Sequence, residues 1–249
     1  MRRKLFAAAA VLLVSGLGVT TSAAPASADS LQFVSAGAVQ NGTSIGAFGT
    51  FTVKKPLVVQ STEISKAAVQ SLGAFGGNSV EVGWRVDPGL FGDRLPHLYV
   101  GHSVHSIVQC PDACGFRQFD ANLRPGAVLT VDSVHQFEIE QFQGNWWIGD
   151  GPTWIGFFPN SLFNNEFVQA GSTQWMGTVL VDGSLSCTEM GNGKFASDST
   201  AATITNVGYF AGPAVSISTV AQDPNRYSAA VFNGSSLRFG GPGACGNPI

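Results

Sequence analysis

The segment Ser79-Val80-Glu81-Val82-Gly83-Trp84-Arg85-Val86 decides how this chain folds. Its large apolar residues stand at every second position: Val80, Val82, Trp84 and Val86. In an extended strand, successive side chains point to opposite faces, so this spacing predicts a strand with one core face. Glu81, Gly83 and Arg85 then share the other face, which carries the polar groups.

The rest of the chain repeats short strand-like runs between turn signals such as Asn41-Gly42 and Asp182-Gly183. Gly accounts for 31 of 249 residues, and only 12% of the residues are charged. Short strand-like runs separated by closely spaced turn signals are typical of an all-β domain. We therefore predict an all-β fold, an antiparallel β-sandwich of two sheets in a single domain.

The turn signals also give approximate positions for the elements. A short helix is expected at 161–167, and 63–68 is a weak candidate for a helical turn. Strands are expected at 46–53, 79–86, 97–100, 127–131, 136–142, 146–149, 154–158, 177–181, 201–210 and 229–232.

The N-terminus has the features of a secretory signal peptide. A basic start at 2–4 precedes an uncharged apolar run at 5–19 and a small-residue Ala26-Ser27-Ala28 site. We expect residues 1–28 to be removed and 29–249 to form the domain of a secreted, extracellular protein. No later apolar run is long enough for a membrane helix, so no membrane association is expected.

The charge argues against a nucleic-acid partner. The chain has a net charge of −3, and removal of the basic start makes it more negative. A protein that binds nucleic acid through its phosphates needs a basic surface.

Four cysteines in an exported chain favour disulfides over metal ligation. Three pairings are possible in principle. The closely spaced Cys110 and Cys114 form the simplest pair, which leaves Cys187 with Cys245. A metal site, for which His102-x-x-His105 is the nearest candidate, is the less favoured alternative.

Two glutamates are the candidate catalytic residues. Glu81 shares a strand face with Gly83, and Glu189, if 187–193 is extended, shares one with Gly191. A glycine beside a carboxylate leaves room for a ligand, and two facing carboxylates can share one proton and activate a water between them.

The GxSxG pattern at 42–46 is better explained as a glycine-rich hairpin than as a serine-hydrolase elbow.

Six segments, in order, resemble the motifs of the neprosin family. They are VGWRVDPGLFGD (82–93), CPDACGF (110–116), GNWWI (144–148), IGFFPNSLF (155–163), TEMGNGKF (188–195) and FGGPGAC (239–245). The resemblance covers nearly the whole expected mature chain. It implies a glutamic endopeptidase on a two-sheet β-sandwich, with catalytic glutamates at Glu81 and Glu189 and no metal or organic cofactor. The best-known members are acid-active and cleave after proline, which implies a peptide or protein substrate, proline-rich where that preference is kept.

The chain departs from the family pattern at several points. No long propeptide is expected after the signal peptide. Arg226 stands where the family has a cysteine, so Cys187 is expected to replace it as the partner of Cys245. Phe157 and Phe158 replace Tyr and Trp, which makes proline preference less secure than peptidase activity.

Three further residues are candidates for substrate binding, and two other functions are considered. Arg85 is expected near Glu81, where its charge would lower the pKa of that carboxyl. Trp84 and Trp175 are expected mainly in the core but are kept, with Arg85, as candidate substrate-binding residues. The rivals are a non-catalytic carbohydrate- or protein-binding β-sandwich and a glycoside hydrolase that uses the same two carboxylates.

Overall fold

The computed structural model describes residues 31–75, 77–108 and 113–246. The expected signal peptide (1–28) and Cys110 lie outside these residues. Within the described part of the chain, no helix has both the length and the apolar character needed to cross a membrane.

The described residues form two antiparallel sheets, which confirms the predicted all-β sandwich. The strands are β1 Leu31–Ser44, β2 Gly46–Thr52, β3 Ile64–Leu72, β4 Ser79–Val86, β5 His97–Val104, β6 Ile107–Val108, β7 Arg117–Gln118, β8 Val134–Phe142, β9 Asn145–Asp150, β10 Thr153–Pro159, β11 Ala170–Asp182, β12 Ala202–Phe210, β13 Ser218–Ala221, β14 Ser228–Asn233 and β15 Ser236–Gly240. A four-residue helix, α1 Pro88–Phe91, follows β4, and 3-10 turns occupy Asn160–Phe163 and Gly243–Gly246.

The first sheet, here called sheet A, has the order β13-β1-β11-β3-β4-β5-β6. The second, sheet B, has the order β14-β15-β12-β2-β8-β9-β10-β7. The chain crosses from sheet A to sheet B at Ile45, within the GxSxG pattern. That pattern is therefore a crossing between the two sheets and lies in no strand–elbow–helix setting.

Strand β4 has the predicted core face. Its alternate residues Val80, Val82, Trp84 and Val86 are fully buried. Strand β11 supplies the neighbouring part of the same core with Trp175, Val179 and Val181. Because the inner faces of both sheets are apolar, the polar positions of these strands lie on the outer face of sheet A.

Three of the predicted elements are wrong. Residues 63–68 enter strand β3, whose centre is buried at Ala67, Ala68 and Val69. Its core face includes the buried polar residues Ser65 and Ser71, and its outer face includes Ala68, so the apolar–polar alternation that reveals a strand in sequence is weak. Residues 127–131 form only a bridge between Val128 and His97. The helix expected at 161–167 is the shorter 3-10 turn Asn160–Phe163.

The predicted Cys187–Cys245 disulfide is confirmed. The two Cα atoms are 5.0 Å apart, and the bond joins the segment after β11 to the C-terminal tail. Cys114 is disulfide-bonded, but its predicted partner Cys110 lies outside the described residues.

Candidate active site

Glu81 lies on the outer face of sheet A with both carboxylate oxygens occupied. Its Oε2 accepts a hydrogen bond from Lys66 Nζ at 2.7 Å. Its Oε1 accepts one from the Tyr99 hydroxyl at 2.5 Å. The Lys66 and Glu81 side chains are only 14% and 12% exposed. The carboxylate is therefore fixed in orientation from two neighbouring strands.

The same cluster contains a second cation. The Lys66 ammonium lies 4.9 Å from the centre of the Tyr99 ring, and the Arg85 guanidinium lies 5.3 Å from it. Arg85 also forms an ion pair with Asp87, whose side chain caps the N-terminus of α1 by accepting from Leu90 N. The turn after β4 thus holds Arg85 in place beside the glutamate.

These contacts determine the protonation of Glu81 and Tyr99. Burial by itself raises the pKa of Glu81, but the charge and hydrogen bond of Lys66, the Tyr99 hydroxyl and the charge of Arg85 together bring this pKa below its usual value. Burial and the adjacent carboxylate raise the pKa of Tyr99 well above its usual value. These contacts therefore favour the carboxylate form of Glu81 and the protonated form of Tyr99.

Two cavities flank Glu81 and make it the centre of a groove. A cavity of about 280 Å³ lies on one side, with Asn78, Ser79 and His102 among its lining residues. A cavity of about 180 Å³ lies on the other side, with Phe33 and Met176 in its wall. Glu81 and Gln70 line both. A ligand bound across these cavities would pass directly over the carboxylate.

Strand register explains the polar floor of this groove. Glu81 of β4 is paired with Gln70 of β3, which is paired in turn with Gln174 of β11. The three side chains form a row across adjacent strands. The Gln70 amide donates to Ser79 Oγ at 3.1 Å. The row places amide groups beside the carboxylate, where a peptide backbone could find hydrogen-bond partners.

The glycine that leaves space beside the Glu81 carboxylate is not the predicted Gly83. A Cβ at Gly83 would strike the backbone of β3 at Ala67, so this glycine allows close strand packing. A Cβ at Gly101, which is paired with Glu81, would lie 3.0 Å from Glu81 Oε1 and would collide with the Tyr99 hydroxyl. Gly101 is therefore the glycine that leaves space for the hydrogen-bonded carboxylate.

Glu189 lies in different surroundings. Its segment, expected as a strand, is a loop after β11 that forms only a bridge from Met190 to Gly241. The Glu189 carboxylate accepts from Leu57 N at 2.8 Å, and its own N–H donates to Leu57 O at 2.8 Å. Gly193 lies against the carboxylate, because a Cβ there would be 2.5 Å from Glu189 Oε1.

The described contacts of Glu81 are with Lys66, Tyr99 and Arg85, and none of them involves Glu189. The described contacts of the two glutamates have no residue in common, and Glu189 lines neither cavity beside Glu81. The catalytic role of Glu189 stays a prediction. A proton shared directly between the two carboxylates does not follow from this geometry.

The prediction that Trp84 and Trp175 are substrate-binding residues is wrong. Trp84 and Trp175 are both fully buried between the sheets. The Trp84 indole donates to Thr52 O, and that of Trp175 donates to Phe48 O. Neither ring can reach a substrate, because both sit on the inner face that alternation assigns to the core. Arg85 does lie near Glu81, as predicted.

Lys66 and Tyr99 are site residues that sequence reasoning missed. Lys66 lies in β3, which was misread as a helical turn, and Tyr99 was treated only as part of a strand. Alternation along β3 and β5 would have placed them on an outer face, but only the register shows that they meet Glu81.

The described residues contain no group of three or more His, Cys, Asp and Glu side chains that could hold a metal ion. His102, of the candidate His102-x-x-His105 pair, packs against the Phe158 ring at 4.8 Å, and burial lowers its pKa. His105 is exposed in the turn after β5.

Comparison with known proteins gives the following similarities. Scytalido-glutamic peptidase, solved with a peptide-based transition state analog, is 11% identical over 86% of this chain and 100% of its own, with a TM-score of 0.47. SCP-B, a member of the Eqolisin family of peptidases in complex with the tripeptide Ala-Ile-His, is 11% identical over 86% and 100%, with a TM-score of 0.43. CG-16, a homodimeric agglutinin from chicken liver, is 12% identical over 61% and 93%, with a TM-score of 0.31. The family model described as Neprosin matches residues 61–242.

Proposed function

The chain belongs to the neprosin family, and on that premise we propose that it is a glutamic endopeptidase whose catalytic carboxylate is Glu81. The observation that carries this proposal is a buried carboxylate at the centre of an open groove. Its two hydrogen bonds and its low pKa keep it ionised where a substrate would lie.

The chemistry needs one water and no covalent intermediate. Glu81 takes a proton from a water in the groove, and the water oxygen forms a bond to the scissile carbonyl carbon. The proton then goes to the amide nitrogen as the carbon–nitrogen bond breaks, which yields a carboxylic acid and an amine. A positioned general base of this kind contributes roughly 10²–10⁴ in rate.

Glu189 is the second proposed catalytic group, on the strength of its TEMGNGKF motif (188–195). We propose that it assists the departing amine or the bound substrate, and the hydrogen bond from Leu57 N orients its carboxylate. A direct exchange of protons with Glu81 is not part of this proposal. The proposed mechanism uses no metal or organic cofactor.

The finer features of the proposal rest on the family resemblance and the sequence. We propose that the protein is secreted after removal of residues 1–28 and is active in acid, as the low pKa of Glu81 allows. The substrate is a peptide or protein. Cleavage after proline is proposed as a preference, and N-terminal sequencing of the secreted protein would show whether it starts at Asp29.

A non-catalytic binding function is the second candidate, and it draws on a different surface. An apolar cavity of about 140 Å³ on sheet B is lined by Phe119, Phe142, Trp147 and Trp154. Exposed aromatic rings of this kind suit a carbohydrate or a protein partner. This candidate predicts binding without hydrolysis.

The decisive test is digestion with purified protein at a series of pH values. The substrates are a proline-rich protein, a proline-poor protein and a set of polysaccharides, compared for the wild type, Glu81→Gln and Glu166→Gln. Glu166 is an exposed glutamate outside this cluster and serves as the matched control. Peptide cleavage that Glu81→Gln alone abolishes supports the proposal. Sugar release, or binding without cleavage, supports a rival function.

A further inference from the structure

We propose that Lys66 and Tyr99 are the positioning residues of Glu81, and that they hold it as the general base of the reaction. This inference rests on the proposed function of Glu81 and goes further, because it assigns the carboxylate a role and names the groups that impose it.

Lys66 reaches Glu81 diagonally across the two strands. Lys66 is paired with Arg85, whereas Glu81 is paired with Gln70, so the two side chains start four residues apart along the strands. Between them lies the pair Ala68 and Gly83. Because these two side chains are small or absent, the lysine stem and the glutamate can lean towards each other over them and meet at 2.7 Å.

Tyr99 approaches Glu81 from the other neighbouring strand. It lies on β5 in the same row as Ala68 and Gly83, paired directly with Gly83. From there its hydroxyl reaches Glu81 Oε1. The site therefore takes one group from each of three adjacent strands, β3, β4 and β5. Each oxygen of Glu81 has one protein donor and keeps a further lone pair for a water.

The charges around Glu81 favour its ionised form. Strand β11, next to β3, contributes the uncharged Gln174, Met176 and Thr178 to the neighbouring cavity. The titratable and charged groups on the surrounding elements are Lys66, Arg85 with its partner Asp87, Tyr99, His97 with its partner Asp93, and His102 in the other cavity. The groups in direct contact with Glu81, a cation and a neutral donor, both favour its ionised form.

The consequence is that a cation, Lys66, accounts for the ionisation of Glu81. A base with a lowered pKa stays deprotonated to a lower pH than an unperturbed glutamate, so it can accept a proton from water further into the acid range. The acid limb of the pH–rate profile should then follow the protonation of Glu81, and its position should depend on the charge of Lys66.

The test compares pH profiles of kcat/KM for the wild type, Lys66→Met, Lys66→Arg and Tyr99→Phe. Lys54→Met is the matched control, because Lys54 pairs with Asp132 on another part of the surface. In Lys66→Met the acid limb should move up by roughly 1–3 pH units, with activity recovering above it. Tyr99→Phe should move it less in the same direction, and Lys66→Arg should restore most of the wild-type profile. Lys54→Met should leave the profile unchanged.

A second readout does not depend on activity. The carboxyl ¹³C signal of Glu81, identified by its loss in Glu81→Gln, should titrate at higher pH in Lys66→Met and in Tyr99→Phe. If the signal moves but the wild type cleaves no peptide, the peptidase proposal fails and only the electrostatic coupling stands. If neither variant moves the midpoint, or if Lys66→Met lowers activity equally at all pH values while folded, the inference is overturned. Tyr99→Phe, which removes a single hydroxyl, provides the answer if Lys66→Met does not fold.

Discussion

The Thr188 hydroxyl donates a hydrogen bond to the buried carboxylate of Glu63, so the residue before Glu189 is anchored at the entrance to β3. The same carboxylate accepts from the backbone N–H groups of Asp182 and Gln60. Glu63 thereby ties the start of the loop that carries Glu189, and the residue just before Glu189, to the segment that leads into β3. These hydrogen bonds outweigh the effect of burial and lower the pKa of Glu63.

This contact predicts an acid-dependent loss of stability. A lowered folded-state pKa contributes stability above the unfolded pKa, and this contribution is lost as the pH falls through the folded value. Glu63→Gln should cost about 1–3 kcal/mol at pH 7, because it weakens buried charge-assisted hydrogen bonds. It should also flatten the fall in stability below about pH 4. Urea unfolding at several pH values measures both effects, and a change within ±0.5 kcal/mol, as expected for Glu166→Gln, would contradict the prediction.

Substitution of either candidate catalytic glutamate is expected to cause a large loss of activity. Glu81→Gln and Glu189→Gln should each lower kcat/KM by roughly 10²–10⁴, because each removes a positioned acid or base. The double variant should be little worse than either single one if the groups act as a unit. Steady-state kinetics on folded variants gives the comparison.

The separate surroundings of the glutamates add a sharper expectation. Since Glu189 does not contact Glu81, Glu189→Gln should leave the titration of Glu81 where it is in the wild type. A shift comparable to that of Lys66→Met would show that the carboxylates are coupled after all. Full activity of Glu189→Gln would remove it from the mechanism and leave Glu81 as the one catalytic glutamate.

Adding a single methyl group at Gly101 is expected to disturb the site. In Gly101→Ala the new Cβ would collide with the Tyr99 hydroxyl and crowd Glu81. The hydrogen bond from Tyr99 should break, which should lower kcat/KM by about 10-fold or more if the bond is worth about 1.5 kcal/mol. Gly234→Ala is the control, because nothing lies within 4 Å of a Cβ there. Equal activity of the two variants would count against a positioning role for Tyr99.

The Cys187–Cys245 disulfide predicts a link between the C-terminal tail and stability. The bond closes a separation of 58 residues, for which the chain-entropy relation gives about 4 kcal/mol. Cys245→Ser should lower the free energy of unfolding by up to that amount. Because Cys187 is two residues before Glu189, peptidase activity should also fall. Unfolding with and without reductant checks the first effect, and a wild-type unfolding curve in the variant would refute it.

The predictability of the fold differed between its strands. Strand β4 was found with its correct ends, because one of its faces is apolar and the other is polar. Strand β3 was missed, since its buried residues Ala67, Ala68 and Val69 run consecutively between two neighbouring strands. The sequence signal depends on a difference between the two faces, and β3 has little of it because its core face includes Ser65 and Ser71 while its groove face includes Ala68.

The sequence by itself determined the all-β class, the outward position of Glu81, the burial of its neighbours on β4, and the Cys187–Cys245 pairing. Each of these depends on local alternation, turn spacing or a short count of cysteines. Only the tertiary structure decided that Lys66 and Tyr99 meet Glu81 and that Glu189 is held by Leu57 instead. Alternation fixes the face on which a side chain lies, but the partner across the strand depends on sheet order and register, which arise from contacts between segments far apart in the chain.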